Sequence, residues 1–496
     1  MAKPRAPWPE IVFGGGTGSS RVSRAVARGE LRKIGPALYT SNLADDAARV
    51  VGRHVWEIVA HYVPGAVVSH RTAFEGRPSQ DGTVFMTSSV GKRLDLPGLR
   101  LRVNKGPAAL PGDQPFVNGL GLASEARLLL ENLGIARARG GARRSVSRQE
   151  VETRLETILR SRGEAALNAI RDQARALTPA LGAARGMAQL DVLMGALLRS
   201  RPAAALRTPG GQARAAGTPF DPERLERFDL LARTLPTVSP PLREDLVTAG
   251  PAFEHLSFFD AYYSNYIEGT EFEVEEARAI VFDGVIPARR PADAHDILGT
   301  YRLVGDAAWL RRAVIGDRSA RTFLERLAES HATLMAGRPE VGPGQWKTQS
   351  NQAGGTRFVE PELVPGTLMK GWEVARALRT AFQRAAMVMF VLTEVHPFTD
   401  GNGRIARAFM NAELVAAGER RIIVPTVYRD DYLGGLRALS RQDHPMPFTL
   451  MLDQGQRFTG SVRWDDYTVA LADLIAANAM AAPDEGVRLR IPRTAR

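Results

Sequence analysis

The stretch His396-Pro397-Phe398-Thr399-Asp400-Gly401-Asn402-Gly403-Arg404 decides how this chain is read. It sets an imidazole, a carboxylate, a Gly-Asn-Gly turn and a guanidinium between two segments of helical pattern. Upstream, Arg379 to Val395 carries Phe382, Ala385, Ala386, Met389, Phe390 and Leu392 at helical spacing. Pro397 cannot continue that helix and restricts the residue before it, so His396 is predicted to stand at the helix end on a rigid support. Downstream, Arg404 to Ala416 is again helical in pattern. Gly401-Asn402-Gly403 permits positive φ, and N–H groups at a helix start form a concave anion site reinforced by the helix dipole.

Arg404 and Arg407 lie three apart, hence on one face, and two guanidinium groups suit a polyphosphate. A phosphate would repel Asp400 unless a divalent cation lay between them. One carboxylate leaves water and phosphate oxygens to complete the coordination, as Mg²⁺ prefers. The expected ligand is a Mg²⁺-nucleotide, with His396 able to take the proton of an incoming hydroxyl. The bland alternative is a capping loop in which His396 is a core histidine and Asp400 an N-cap.

At 496 residues the chain is too long for one core, and two or three domains are expected. The expected domains are 1–140, a helical linker region 141–240, a third domain 241–455, and a C-terminal helix with basic tail 456–496. Absence of cysteine excludes disulfides, thiolate metal sites and a cysteine nucleophile. No apolar run suits a membrane span and no signal-peptide core follows Met1, so the expectation is a cytoplasmic protein without a membrane partner. A net charge of +11 favours an anionic partner such as nucleic acid, nucleotide or acidic protein.

Within the first 140 residues, Ser20 to Arg28 reads as a short basic helix and Leu31 to Thr40 as two strands around Gly35-Pro36. A second helix is expected from Asp45 to His61. Strands are expected at Val67 to His70, Thr83 to Thr87 and Leu99 to Val103. The glycine-rich run Phe13 to Ser20 lacks the lysine of a phosphate loop and reads as a turn. His54, His61 and His70 make no convincing zinc pattern. Arg137, Arg139, Gly140, Gly141, Arg143 and Arg144 read as a basic linker, residues 148 to 200 as helical, and Arg201 to Gly217 as a second linker. From Pro222 the chain is helix-periodic except Gln345 to Val359, a candidate hairpin, and the tail after Pro483 reads as poorly ordered.

The run His396 to Arg404 matches at every position the signature of the Fic family: His-Pro-Phe, any residue, Asp or Glu, Gly-Asn, Gly or Lys, Arg. Arg407 matches the further arginine of its adenylylating members, and the resemblance extends over roughly residues 240 to 455. It implies a mainly α fold, an all-helical core with a small β-hairpin flap. It also implies transfer of AMP from ATP to a protein Ser, Thr or Tyr hydroxyl. By the resemblance His396 is the catalytic base and Asp400 the Mg²⁺ ligand. Gly401, Asn402, Gly403, Arg404 and Arg407 hold the nucleotide, and Phe398 anchors the loop. Gly403, where a phosphorylating variant has Lys, favours AMP transfer.

Ser264-Asn265-Tyr266-Ile267-Glu268-Gly269 matches the family's inhibitory helix, with Ser264 and Glu268 on one face. The resemblance implies that Glu268 pairs with Arg407 and blocks productive ATP binding, or positions water to remove AMP. Gln345 to Val359 corresponds to the target-docking flap, with Thr356, Arg357 and Phe358 in it. Tyr428 and Tyr432 are candidates for stacking near adenine, with a packing role as the alternative.

The N-terminal region looks similar to winged-helix regulators of AbiEi type that accompany bacterial toxin systems. That implies an N-terminal α/β winged-helix-like domain, with DNA as a candidate partner through Arg24, Arg28, Arg32 and Lys33. A DNA-binding regulator with a nucleotide-sensing core is therefore the alternative to the enzyme. A homodimer is a candidate assembly.

Overall fold

Apolar side chains gather into separate clusters within two units, residues 1–216 and 217–496, each with one large core. The computed structural model describes residues 8–15, 19–134, 142–238 and 240–491. Gly16, Thr17 and Gly18 of the glycine-rich run, and Arg137, Arg139, Gly140 and Gly141 of the first expected linker, lie outside them. No described helix is long and apolar enough to cross a membrane.

In the first unit, helix Ser19–Ala27 is followed by strands Arg32–Gly35 and Leu38–Thr40, which pair around Gly35-Pro36 as expected. Strand Ile11–Phe13 adds to Leu38–Thr40, making a three-stranded antiparallel sheet. A six-stranded mixed sheet follows, in which Thr83–Ser88 runs parallel to Leu99–Lys105 and antiparallel to Val67–Val68. The helix expected from Asp45 to His61 is two, Ala47–Arg53 and Val55–Tyr62. The break falls at His54, whose ring nitrogens bond Glu10 at 2.8 Å and Glu57 at 3.0 Å.

Residues 142–216 belong to this unit rather than to a linker. Val151 and Leu155 of helix Arg148–Leu181, and Leu190 and Leu193 of helix Ala184–Leu197, share one core with Val84, Met86 and Leu101 of the sheet. The long helix bends at Gly163, whose φ of +77° breaks the helical repeat. The stretch 201–217 contains helix Pro209–Ala215. Its start is held because the buried Glu152 carboxylate accepts from the Arg207 and Thr208 N–H groups and the Thr208 hydroxyl. A buried carboxylate needs such donors, and composition alone does not reveal them.

Among its described residues the second unit is helical apart from one two-stranded hairpin and an isolated bridge between Glu244 and Glu419. Helix Ala381–Val395 lies at its centre and is buried at every position but Arg384 and Thr393, as a helix apolar on all sides must be. Thr380 and Gln383 form its capping box. It packs against helix Asn402–Ala416 and, through Phe390, against Phe228 and Phe448. The tail after Pro483 is held to Gly486 and beyond by the Arg490 N–H to Ala477 and by Asn478 to the Arg488 carbonyl.

The first unit also buries one charged knot. Arg127, with no exposed surface, donates to Asp113 at 2.6 Å and to Glu131 at 2.9 Å. Arg127→Met leaves two carboxylates unpaired in the interior. It is expected to lower the unfolding free energy of this unit by about 3 to 5 kcal/mol, read from urea denaturation.

Candidate active site

The central helix ends at His396, whose backbone is left-handed at φ 52° and ψ 62°. For a residue with a Cβ this conformation costs on the order of 1 kcal/mol, and the surroundings must hold it. The His396 N–H still donates to Leu392 at 3.1 Å, and Lys347 holds the Pro397 carbonyl at 2.9 Å. The imidazole stacks on the Phe358 ring at 3.8 Å with 7° between planes. Nδ1 lies 3.4 Å from the Thr393 carbonyl, which can only accept, so Nδ1 carries the proton and Nε2 keeps its lone pair. Burial depresses the pKa of His396 to about 4, a Thr393 hydrogen bond opposes this, and the Lys347 cation adds to it.

Phe398 is fully buried and clamped between rings. His331 stacks on it at 3.6 Å and 1°, and Trp346 at 5.0 Å. Gly344 donates to His331 Nδ1 at 3.0 Å, so Nε2 is the protonated nitrogen and donates to the Asp400 carbonyl at 3.0 Å. Asn402 bonds the main chain of Phe398 in both directions, accepting from its N–H and donating to its carbonyl, each at 2.9 Å. Its side chain is thereby used within the loop, leaving the Asn402 and Gly403 N–H groups at the helix start for an anion, while the Gly401 N–H donates to Asp400 Oδ1 at 2.6 Å. Gly401, at φ +76°, could not carry a Cβ without meeting Met335 at 2.9 Å and His331 at 3.2 Å.

Arg404 and Arg407 enter from the first turns of helix Asn402–Ala416, and both are buried. Arg404 pairs with Asp296 at 2.9 Å and reaches Asp400 Oδ1 at 3.3 Å. Arg338 takes the same Asp296 oxygen at 3.1 Å. Arg407 makes four hydrogen bonds: Nε to the Ser264 hydroxyl at 2.9 Å, Nη1 to Tyr432 at 3.0 Å, and Nη2 to the Ser264 carbonyl at 2.8 Å and Glu268 at 2.6 Å. Ser264 and Glu268 therefore face the motif helix together, from the end of helix Gly250–Ile267. Gly269 follows at φ +92° and turns the chain away. A Cβ on Gly403 would stand 2.0 Å from Glu268 Oε1, so this glycine admits the carboxylate.

The hairpin pairs Gln352–Ala353 with Thr356–Arg357 across Gly354-Gly355. Arg441 donates to the Thr356 hydroxyl at 2.8 Å, and Arg224 donates to the Arg357 carbonyl. Glu394 holds Arg224 at 3.1 Å and Arg227 at 3.3 Å, tying the hairpin's support to the residue two before His396. Between hairpin and motif lies a cavity of about 410 Å³, on whose wall His396, Phe358, Thr356, Gly403, Glu268 and Tyr432 meet.

The His396–Arg407 motif, Ser264 with Glu268, the hairpin and Tyr432 thus converge on one region, while the Arg357 side chain points to Glu360 and is exposed. Tyr428 lies in a different groove, with Met451 and Arg488. Sequence reasoning missed His331, Lys347, Asp296 and Glu394, because each is a lone polar residue in a helix or loop whose partner is distant in the chain. Among the described residues no group of three or more carboxylates and histidines is arranged to hold a metal.

His331 and His396 both have pKa values lowered from the usual 6.5 to about 4, chiefly by burial. The unfolded chain therefore binds protons that the folded chain does not between these limits. Their stabilisation is complete above pH 6.5 and is lost as pH falls toward 4, at most about 3 kcal/mol per group. Calorimetry should show the second unit's melting temperature declining over this window, and His331→Gln should flatten part of that slope.

Residues 322–414 match the Fic/DOC family. Over 247 residues the chain is 28% identical to the protein adenylyltransferases fic-1 of Caenorhabditis briggsae and Caenorhabditis elegans, covering 45% of this chain and 48% of each relative. It is 27% identical over 236 residues to protein adenylyltransferase Fic of Nematostella vectensis, covering 45% of this chain and 52% of that one. The chain spans about half the length of these curated relatives. Among solved structures, Fic-1 (residues 134–508) from C. elegans is similar at 21% identity with a TM-score of 0.37, covering 65% of this chain and 99% of that one. The segment that matches the Fic/DOC family, residues 322–414, contains the His396–Arg404 loop and the helix that follows it.

Proposed function

We propose that the second unit is a protein adenylyltransferase held inactive by Glu268. The observation that carries the reading is the shared wall of one cavity. A histidine with a free Nε2 lone pair lies on it, together with the glycine-rich start of a helix and a carboxylate bound to Arg407.

In the proposed reaction His396 Nε2 takes the proton from a Ser, Thr or Tyr hydroxyl of a target protein. The hydroxyl oxygen forms a bond to the α-phosphorus of ATP, the bond to the bridging oxygen breaks, and pyrophosphate leaves. Backbone N–H groups of Asn402 and Gly403, with Arg404 and Arg407, would hold the phosphates, and the Gly401 N–H, which here donates to Asp400 Oδ1, would join them only on leaving that carboxylate. The hairpin would align an extended segment of the target by strand addition.

Asp400 is 43% exposed, and its Oδ1 accepts from the Gly401 N–H and faces Arg404, while Oδ2 has no hydrogen-bond partner among the described residues. One free carboxylate oxygen fits Mg²⁺ carried in with the nucleotide, not a freestanding metal site. When bound, the cation would neutralise developing phosphate charge.

Glu268 occupies one Nη2 donor of Arg407. Ser264 and Tyr432 hold three of the other N–H donors, so Glu268→Gly frees a donor without freeing the side chain. With α-phosphate-labelled ATP and Mg²⁺ in lysate, Glu268→Gly is expected to label protein, wild type far less, and the Glu268→Gly/His396→Ala double variant not at all. Absence of label in all three would overturn the reading. In the Glu268→Gly background, Tyr432→Phe should raise the KM for ATP about fivefold with little change in kcat, the worth of one hydrogen bond of about 1 kcal/mol.

A second reading concerns the first unit, where helix Ser19–Ala27 followed by a hairpin is the order of a winged helix. Arg28 is paired with Glu30, and Arg32 donates to the Asp45 carbonyl. DNA contact would thus fall mainly to the exposed Lys33 and to Arg24, which is exposed and bonds only the Ser20 carbonyl one turn back, through Nε. Salt-dependent duplex binding lost in an Arg24→Ala/Lys33→Ala variant supports this reading, and binding unchanged by that variant rejects it.

A further inference from the structure

Lys347 stands behind His396 in an environment unusual for a lysine. Only 4% of it is exposed, and it has no ion-pair partner among the described residues. Its Nζ donates to Asn351 Oδ1 at 2.6 Å and to the Val395 carbonyl at 3.3 Å. Its backbone N–H donates to the Pro397 carbonyl at 2.9 Å. One residue therefore grips both carbonyls that flank His396. Asn351 extends the grip by donating to the Phe398 carbonyl at 3.1 Å. A buried ammonium without a carboxylate is costly, and a core methionine would fill the same space without that cost.

We infer that Lys347 is a positioning residue that holds His396 in its left-handed conformation and keeps Nε2 free of a proton, an inference that rests on reading His396 as the base. The charges facing the imidazole come from several elements. Lys347 disfavours the imidazolium, whereas Glu268 and Asp400 favour it. Glu394, Arg437 and Arg441 line the same cavity, with Glu394 neutralised by Arg224 and Arg227. Bound polyphosphate would add negative charge and draw a proton onto the ring, and the buried ammonium opposes it. Lys347 itself has its pKa lowered to about 8, first by burial, with Glu360 raising and Arg224 lowering it. It therefore remains mostly charged at neutral pH.

The test is the titration of His396 in the full chain, followed by NMR of ¹⁵N-histidine-labelled protein. Eight histidines keep the spectrum tractable, and His396 is identified by its loss in His396→Ala. In Lys347→Met the midpoint should rise by about one pH unit, and in Lys347→Arg it should stay near that of the parent. Lys347→Gln, which keeps a donor for the Val395 carbonyl but no charge, should shift as Met does and carries the test where Met fails to fold. In the Glu268→Gly background the acid limb of the transfer rate should move to higher pH by the same amount. An unshifted midpoint in both neutral variants, with transfer intact, overturns the inference and spares the transferase reading. A shifted midpoint with no AMP transfer from Glu268→Gly overturns the transferase reading instead.

Discussion

The buried guanidinium of Arg407 is the constraint on which the site depends. A guanidinium removed from water must find acceptors in the protein, and this one finds the Ser264 hydroxyl and carbonyl, the Tyr432 hydroxyl and the Glu268 carboxylate. These partners come from two helices other than its own. Satisfying one side chain therefore fixes how helix Gly250–Ile267 and helix Arg429–Gln442 sit on the motif helix. The net stability of such a knot is small, because desolvation offsets most of the attraction, but its geometry is demanding. Gly403 is part of it, since any Cβ there would exclude Glu268.

A second, apolar device sets the loop itself. Phe398 is stacked between His331 and Trp346, and Asn402 closes the loop onto the Phe398 backbone. The loop is thus rigid without help from a ligand. His331 serves both packing and polarity, with its ring against Phe398 and its two nitrogens joining Gly344 to Asp400. Preorganisation of this kind is what a site that handles developing charge requires, because dipoles already in place need not reorganise during reaction.

The fold around the motif was legible in part. The central helix, its end at His396 and the following helix could be read because apolar periodicity and Pro397 are local signals. The hairpin was legible from Gly354-Gly355 in a polar stretch. The stretch 201–217 was not, because its Ala, Pro and Gly residues resemble a linker until Glu152, some fifty residues earlier, binds the start of its helix. The single helix expected from Asp45 to His61 failed for the same reason, since Glu10 captures His54 from outside the segment.

The sequence by itself determined the identity of the motif residues, their order along two helices and the opposition of Ser264 and Glu268 on one face. These follow from side-chain chemistry and helical spacing, which act over a few residues. The approach of Glu268 to Arg407, which the resemblance implied, is made at 2.6 Å, whereas only the tertiary structure decided that Asp296 holds Arg404 and that Lys347 lies buried behind His396. Those pairings join residues 49 to 139 apart, as for Lys347 with His396 and Glu268 with Arg407. They exist because burial forces each charged group to take whichever partner the packing of helices brings within reach.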